Sequence, residues 1–182
     1  MYTSRLDLGT FDVVSGKLMI TDPCYKSDLW CANSVGQVRN GAWNALAVSA
    51  DTGEMGERIY RLVAFHEACP KGSDLTKRDA PFDVGVDSGQ AGFFDAAFYR
   101  DDSVVAGGPL SEPGEAWYWH CCQITGSRLQ AGVLPYGVVS STGFGDGAYP
   151  CTLYCDPAGY IVKVEIEFIS GRELRAYLEE DL

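Results

Sequence analysis

The sequence predicts a mainly β fold, a single antiparallel β-sandwich or partly closed barrel with one or two short helices. Three observations lead to this fold class. The 182-residue chain has 21 glycines and 8 prolines spread along its length. The segments between them are short and rich in Val, Ile, Tyr and Phe, as strands are. The hydrophobic fraction of 46% is enough for one core, so we expect residues 1–182 to form a single β-rich domain.

The clearest predicted strand covers residues 160–168. Apolar residues alternate there with Lys163 and Glu165, so one face meets the core and the other meets water. Residues 149–154 are its expected partner, because the Asp-Pro-Ala-Gly sequence at 156–159 suits a hairpin turn.

A second hairpin is predicted at Asn40-Gly41, because this pair accepts the positive φ angles of a tight turn. Its strands would be residues 35–38 and 43–48, and Asp51-Thr52-Gly53 would turn the chain again. Residues 58–66 fit a buried strand or a short helix equally well. Further strands are predicted at residues 17–21, 84–86, 92–94, 117–122 and 138–141.

The remaining segments are predicted to be loops or terminal structure. Residues 69–82 and 100–114 are turn-rich and charged, and the second resembles a surface loop. Residues 171–182 have the pattern of a short terminal helix that frays into an acidic tail.

The charge of the chain argues against two classes of partner. Its 25 acidic and 14 basic residues give a formal charge of -11, which repels phosphate backbones and anionic lipids. We therefore expect no nucleic acid and no membrane as partner.

The chain also has the pattern of a cytoplasmic protein. No stretch approaches the roughly 18 apolar residues of a membrane span, and residues 1–9 lack the apolar core of a secretory signal. The seven cysteines are an odd number at irregular spacings, so we expect free thiols.

Two glycine-flanked aspartate corners form the predicted functional site. They are residues 86–95, VDSGQAGFFD, and residues 140–150, SSTGFGDGAYP. Both place short acidic side chains on tight turns between hydrophobic strands, and the ends of several strands can meet at one rim of a sheet. The candidate ligand-binding residues are Asp22, Asp87, Ser88, Gly89, Gln90, Asp95, Ser141, Gly145, Asp146, Gly147 and Tyr149.

The residues of this site are compatible with more than one kind of ligand. The carboxylates of Asp22, Asp87, Asp95 and Asp146 suit a divalent cation such as calcium or magnesium. The same carboxylates can instead accept hydrogen bonds from nearby amides and merely hold the corners. Glycine amides and neutral polar side chains suit a small polar molecule. No basic residue follows the glycine runs, which argues against phosphate-loop and dinucleotide fingerprints.

Catalytic roles are a further alternative. Cys24 could act as a thiolate nucleophile if His66 or His120 lay within hydrogen-bond reach. Asp87 and Asp146 could act as acid and base, or hold a catalytic metal ion, in the hydrolysis of a small substrate. Cysteine spacing indicates no set of four zinc ligands.

The competing class is a protein-interaction module. An acidic inhibitor, an immunity protein or a phage-host interaction protein would share the small size and the negative charge of this chain. Its aromatic residues, 12% of the sequence, would then serve as hot spots toward a basic protein partner.

Three short motifs together resemble a known family. They are ITDP at residues 20–23, the segment 86–95, and above all GDGAYP at residues 145–150, which leads into the final strand. In their order and spacing they resemble an uncharacterised, largely bacterial family, domain of unknown function 4241. The sequence departs from the family pattern at Gln90 and Ala91. The resemblance implies a shared fold and no established activity.

Overall fold

The computed structural model describes residues 3–70, 72, 74–107 and 111–173. In this part of the chain, eleven strands form two antiparallel sheets that pack face to face, which confirms the predicted mainly β, sandwich-like fold. The strands are β1 Thr3–Val13, β2 Leu18–Thr21, β3 Ser34–Val35, β4 Gly41–Asp51, β5 Glu57–His66, β6 Thr76–Val86, β7 Gln90–Asp95, β8 Ala131–Leu134, β9 Gly137–Ser141, β10 Gly147–Cys155 and β11 Ile161–Glu167.

The two sheets differ in size and in what covers them. One sheet has six strands in the order β1-β4-β5-β11-β10-β6, and the other has five in the order β3-β2-β7-β9-β8. An α-helix, α1 (Glu115–Thr125), and two short 3-10 helices, Gly53–Met55 and Asp102–Val104, complete the described elements. No helix in the described ranges is long and apolar enough to cross a membrane.

The main core lies between the two sheets. Trp43 on β4 and Phe93 on β7 are fully buried and belong to the same apolar cluster. Burial of side chains of this size contributes about 1.5–3 kcal/mol each. Along β11, Val164 and Ile166 face this core while Lys163 lies on the outer side, as the alternation predicts.

A second apolar layer covers the outer face of the five-stranded sheet. Phe94, next to Phe93 on β7, points to the other side and meets Trp117 of α1, with ring centroids 4.9 Å apart. Tyr99 packs against the same indole at 5.1 Å. The central strands of this sheet are therefore buried on both faces, which explains their nearly continuous apolar sequence.

The predicted strand at residues 117–122 is wrong, because these residues form most of α1. Trp117 and Cys121 are four residues apart and both buried, which is the spacing of one helix face. The segment is rich in aromatic residues and cysteine, so its composition favours a strand, and packing against Phe94 overrides that preference.

The predicted hairpin at Asn40-Gly41 is also wrong. β3 pairs with β2 in the five-stranded sheet, whereas β4 pairs with β1 and β5. The Asn40 side chain accepts a hydrogen bond from the Gly16 amide at 2.7 Å. Gly41, with φ 132°, lies so close to the His66 ring that a Cβ would come within 2.7 Å of its Nε2. Asn40 and Gly41 therefore contact residues that are distant in the sequence and do not form a hairpin turn.

Other predicted elements fare better. The β10–β11 hairpin is confirmed, and its turn closes where the Gly159 amide donates to the Asp156 carbonyl at 2.9 Å. Residues 58–66 form a strand, as part of β5. The charged segment 69–82, predicted as loop, instead includes the first half of edge strand β6, where exposed charges are common.

The two remaining loop and tail predictions are only partly covered. Residues 100–114 contain a 3-10 helix, Asp102–Val104, within irregular chain, and residues 108–110 lie outside the described ranges. Of the predicted terminal helix 171–182, residues 171–173 are helical and the rest lies outside the described residues.

Candidate functional site

Asp22, the first residue after β2, is fully buried and holds the turn between β6 and β7. Its Oδ2 accepts hydrogen bonds from the amides of Asp87 at 2.9 Å and Ser88 at 2.7 Å. Its Oδ1 accepts from the Cys24 amide at 2.8 Å and from the Ser88 hydroxyl at 2.6 Å. A carboxylate has about four lone-pair sites. The four donors therefore use its accepting capacity.

Asp146 holds the same turn from the other predicted corner. Its Oδ1 accepts a hydrogen bond from the Gly89 amide at 2.9 Å, and the Thr142 amide donates to the Gly89 carbonyl at 3.1 Å. Gly89 has φ 67°, a conformation that favours glycine. The two corners predicted from the sequence thus meet in space, and backbone groups make the junction.

Asp87 and Asp146 are the exposed acids of this junction. The Asp87 carboxylate lies beside the Tyr25 hydroxyl, and burial together with this hydrogen bond raises the pKa of Tyr25. Only these two carboxylates keep access to solvent, so the junction is much less open than the sequence prediction required.

Asp95 lies at the opposite end of β7 from this junction. It is fully buried, and its Oδ2 accepts from the amides of Val14 at 2.6 Å and Ser15 at 2.8 Å. Its Oδ1 accepts from the Ala97 amide at 2.8 Å. β7 has six residues, so its ends are about 17 Å apart. The structure therefore brings Asp22, Asp87 and Asp146 together and leaves Asp95 elsewhere.

Gln90 and Ser141 tie neighbouring elements together. The Gln90 Nε2 donates to the Ser88 hydroxyl at 3.3 Å, and its Oε1 accepts from the Thr125 hydroxyl of α1 at 3.0 Å. The Ser141 hydroxyl donates to the Gln130 Oε1 at 3.0 Å. Both predicted site residues have partners within the protein.

Gly145, Gly147 and Tyr149 form the local structure of the second corner. The Tyr149 hydroxyl donates to the Gly145 carbonyl at 2.6 Å, and the Thr142 hydroxyl donates to the same oxygen at 2.7 Å. Gly147 pairs with Val86 at the start of β10. This corner is therefore a closed turn that starts a strand.

The arrangement of side chains at the junction does not favour metal binding. Among the residues that the structure describes, no group of three or more His, Cys, Asp or Glu side chains is arranged to hold a metal ion. At Asp22 and Asp95, backbone N–H groups occupy the positions around the carboxylates that a cation would take. The calcium or magnesium expected as one alternative therefore finds no ligand set at these two residues.

The thiolate mechanism is disfavoured at Cys24 and at His66, one of its two candidate bases. Burial, and next the charge of Asp22, raises the pKa of Cys24 to about 12, so its thiol stays protonated near neutral pH. The His66 ring is occupied by the backbone, because Nδ1 accepts from the Ala68 amide and Nε2 contacts the Asn40 carbonyl, each at 3.0 Å.

A concave site that the sequence did not indicate lies on the outer face of the six-stranded sheet. This groove has a volume of about 640 Å³. Its floor is made by side chains from all six strands. Described residues of the connection from β5 to β6 contribute to one wall; they are Glu67, Cys69, Pro70, Gly72 and Leu75. We call it the outer groove.

Strand register places a row of alternating cations and aromatic rings across the outer groove. Lys77 on β6 lies opposite Tyr154 on β10, which lies opposite Lys163 on β11, which lies opposite Phe65 on β5. Directly opposed residues in antiparallel strands have Cβ atoms about 4.5–5.5 Å apart. The Lys163 Nζ lies 4.3 Å from the centre of the Tyr154 ring.

An apolar patch adjoins this row. Leu46 on β4 and Val63 on β5 are a directly opposed pair on the outer face, yet only 8% and 6% of their surface is exposed. Val48 follows on β4, opposite Arg61. The patch and Phe65 together give one half of the outer groove an apolar floor.

The outer groove is locally basic in an acidic protein. Among the described residues that line it, two acids, Glu67 and Glu165, face four cations, whereas the whole chain has a charge of -11. The four cations are Arg5, Arg61, Lys77 and Lys163.

These cations differ in how far they are already paired. The Glu165 carboxylate lies 3.2 Å from the Arg61 Nε and 3.6 Å from the Lys163 Nζ. The buried Arg61 Nε nevertheless lacks a partner with hydrogen-bond geometry in the described ranges. Arg5 and Lys77 make no ion pair with any residue in the described part of the chain. Within the described part of the chain, the outer groove therefore retains two cations without an ion pair.

No protein-family model matches this chain, and no curated protein or solved structure matches it significantly. The resemblance to domain of unknown function 4241 therefore stays a prediction.

Proposed function

We propose that this protein binds a small anionic molecule with an apolar or aromatic portion in the outer groove. One observation carries the proposal: cations that make no ion pair with a described residue lie beside an apolar floor in one concavity of an acidic protein. The volume of about 640 Å³ falls within the range of small-molecule sites.

The row of cations and rings supports a defined orientation for such a ligand. Lys163 places its ammonium group over the Tyr154 ring, and Lys77 lies directly opposite Tyr154 on the next strand. A carboxylate, sulfonate or phosphate at this end of the outer groove would therefore meet both ammonium groups. The apolar portion would then lie over Phe65 and the Leu46–Val63 pair. Burial of the ligand's own apolar portion against this floor would contribute affinity, and the charges would supply selectivity.

The proposal keeps the small-molecule binding expected from the sequence and moves its location. At the aspartate-glycine corners, the carboxylates of Asp22 and Asp146 already accept hydrogen bonds from backbone amides. In the outer groove, Arg5 and Lys77 make no ion pair with a described residue. All seven cysteines are free thiols, which agrees with the cytoplasmic location that we include in the proposal.

A matched pair of fluorescent probes tests the proposal. Anilinonaphthalene sulfonate carries an anionic group on an aromatic system, and N-phenylnaphthylamine is the same system without the charge. We expect the sulfonate to bind about tenfold more tightly, because two ammonium contacts of roughly 0.7 kcal/mol each correspond to that factor. High salt should reduce the difference.

Variants locate the binding in the outer groove. The double variant Lys77→Gln with Lys163→Gln should bind both probes with the same affinity, and Lys17→Gln, an exposed lysine between β1 and β2, should behave as the wild type. Bound sulfonate should also protect the groove thiol of Cys69 from alkylation. Equal affinity of the two probes for the wild-type protein, or unchanged sulfonate binding by the double variant, would refute the proposal.

A further inference from the structure

A second surface lies on the opposite side of the molecule, where α1 covers the five-stranded sheet. Trp30 is 93% exposed there, and Leu29 beside it is 44% exposed. On α1, Trp119 is 59% exposed while its neighbour Trp117 is buried. Large apolar side chains this exposed cost solvation free energy in an isolated protein, and tryptophan is enriched at the centres of protein interfaces.

The elements that carry the two indoles lie side by side. An ion pair joins the Lys26 Nζ in the segment 22–33 to Glu112, just before α1, at 3.4 Å. The Arg100 guanidinium donates to the Pro23 carbonyl at 2.7 Å and lies 5.7 Å from the centre of the Tyr118 ring of α1. The segment 22–33 and α1 thus form one surface, which we call the tryptophan surface.

Fixed backbone supports the exposed position of Trp30. The Ala32 amide donates to the Leu29 carbonyl at 3.0 Å, which closes a turn around Trp30. The Tyr99 hydroxyl donates to the Tyr25 carbonyl at 2.7 Å, and Ala32 packs against the apolar cluster beneath α1. An anchor that is held in place before binding loses less conformational entropy when a partner docks.

The charge of the tryptophan surface indicates the chemistry of its partner. Asp28 and Glu112 are exposed and Glu115 is half-buried, while Lys26 is the only Lys or Arg in the segments 22–33 and 111–125. That lysine is already paired with Glu112. Arg100, which contacts both segments, is a second cation of this surface. The surface therefore combines exposed indoles with three carboxylates against two cations, a small excess of negative charge.

We propose that the tryptophan surface binds a basic protein segment in which Lys or Arg flanks an apolar residue. The apolar residue would contact Trp30 and Leu29, and the cations would meet Asp28 and the indole faces through charge and cation–π contacts. This function goes beyond ligand binding in the outer groove, which lies on the other sheet.

Selection from a phage-displayed library of random peptides tests this inference. The library is selected on the wild-type protein, and the enriched peptides are synthesised and titrated against variants by fluorescence anisotropy. We expect peptides rich in Lys and Arg with at least one large apolar residue. Trp30→Ala should weaken their binding by at least about tenfold, and Trp119→Ala by less.

Two controls separate this surface from other sites. Leu129→Ala removes an apolar side chain that is 54% exposed after α1, outside both segments of the tryptophan surface, and should leave peptide affinity unchanged. The double variant Lys77→Gln with Lys163→Gln should also bind the peptides normally, so a failure of the groove proposal does not affect this result. Enriched peptides without basic residues, or peptides that bind Trp30→Ala as tightly as the wild type, would overturn the inference.

Discussion

The acidic corners and the outer groove use polar side chains in opposite ways. Asp22, which holds the first corner, and Asp95, at its end, are fully buried and accept hydrogen bonds from backbone amides, so their carboxylates stabilise the fold. In the outer groove, Arg5 and Lys77 are exposed and have no ion pair with a described residue. The difference teaches that a cluster of polar residues indicates a binding site only where its hydrogen-bonding capacity is left unused.

The largest effect should come from removing the Asp22 carboxylate. Asp22→Ala leaves three amides and the Ser88 hydroxyl without their acceptor. Loss of several buried acceptor contacts should lower the free energy of unfolding by about 3–5 kcal/mol. Urea unfolding followed by tryptophan fluorescence measures this change.

Asp146→Ala is the matched control for Asp22→Ala. Asp146 belongs to the same junction, but it is exposed, and among the described residues its carboxylate accepts one hydrogen bond, from the Gly89 amide. We expect a loss of about 1 kcal/mol or less. Equal destabilisation by the two substitutions would show that neither burial nor the number of accepted hydrogen bonds distinguishes these aspartates.

Two thiols report the difference in charge between the two regions. Burial, and then Asp22, raises the pKa of Cys24 to about 12. Burial also raises the pKa of Cys69 at the outer groove, but Lys163 opposes that rise. Because only the thiolate reacts, iodoacetamide at pH 8 should alkylate Cys69 faster than Cys24, as peptide mapping by mass spectrometry can measure.

The pH profile makes this prediction sharper. With a pKa of about 12, the reactive fraction of Cys24 should rise about tenfold per pH unit between pH 8 and 10, without a plateau. Lys163→Gln should slow the alkylation of Cys69 and leave Cys24 unchanged. A plateau in the alkylation rate of Cys24 below pH 9 would contradict the expected difference between the two thiols. It would support a nucleophilic role for Cys24.

Much of the fold could be predicted because polar and apolar residues alternate along a strand that has one face in water and one in the core. The alternation of Lys163 and Val164 identified β11 from the sequence alone. α1 could not be found in this way, since the contact between Trp117 and Phe94 that decides its conformation joins distant segments. Composition favoured a strand there, and tertiary packing decided otherwise.

The candidate site was predictable only in part for a similar reason. Asp22, Asp87 and Asp146 follow or precede strands, so their meeting at one rim could be expected. Whether their oxygens are free depends on which amides the folded chain directs at them, and no local pattern encodes that. The outer groove depends on the register of strands that place Lys77 beside Lys163, which are far apart in the sequence.

Asp156 is a third acidic corner and should make a moderate, pH-dependent contribution. Burial alone would raise its pKa, but the Arg39 guanidinium and the amides of Tyr160 and Ala158 outweigh burial and lower it. The folded-state pKa therefore lies below the unfolded value of about 4. The resulting stability is present above pH 4 and is lost as the pH falls through the folded-state pKa.

Arg39→Gln tests this contribution directly. The variant should be less stable than the wild type by about 1 kcal/mol at pH 6, because the ion pair with Asp156 is lost. The difference should shrink as the pH falls through the folded-state pKa of Asp156, because protonation of the carboxyl group removes the ion pair. Urea unfolding at several pH values measures it, and Arg128→Gln at an exposed position serves as the control. A difference independent of pH would assign the effect to packing of Arg39 on Tyr160.

The smallest effect on stability should come from the cations of the outer groove. Lys77 is exposed and unpaired with described residues, and Lys163 contributes one ion pair at 3.6 Å and one contact with the Tyr154 ring. The double variant Lys77→Gln with Lys163→Gln should therefore change the free energy of unfolding by no more than about 1 kcal/mol. Urea unfolding at neutral pH checks this value. A loss as large as that expected for Asp22→Ala would mean that the groove cations hold the sheet together, and the distinction between a structural acid and a binding cation would fail.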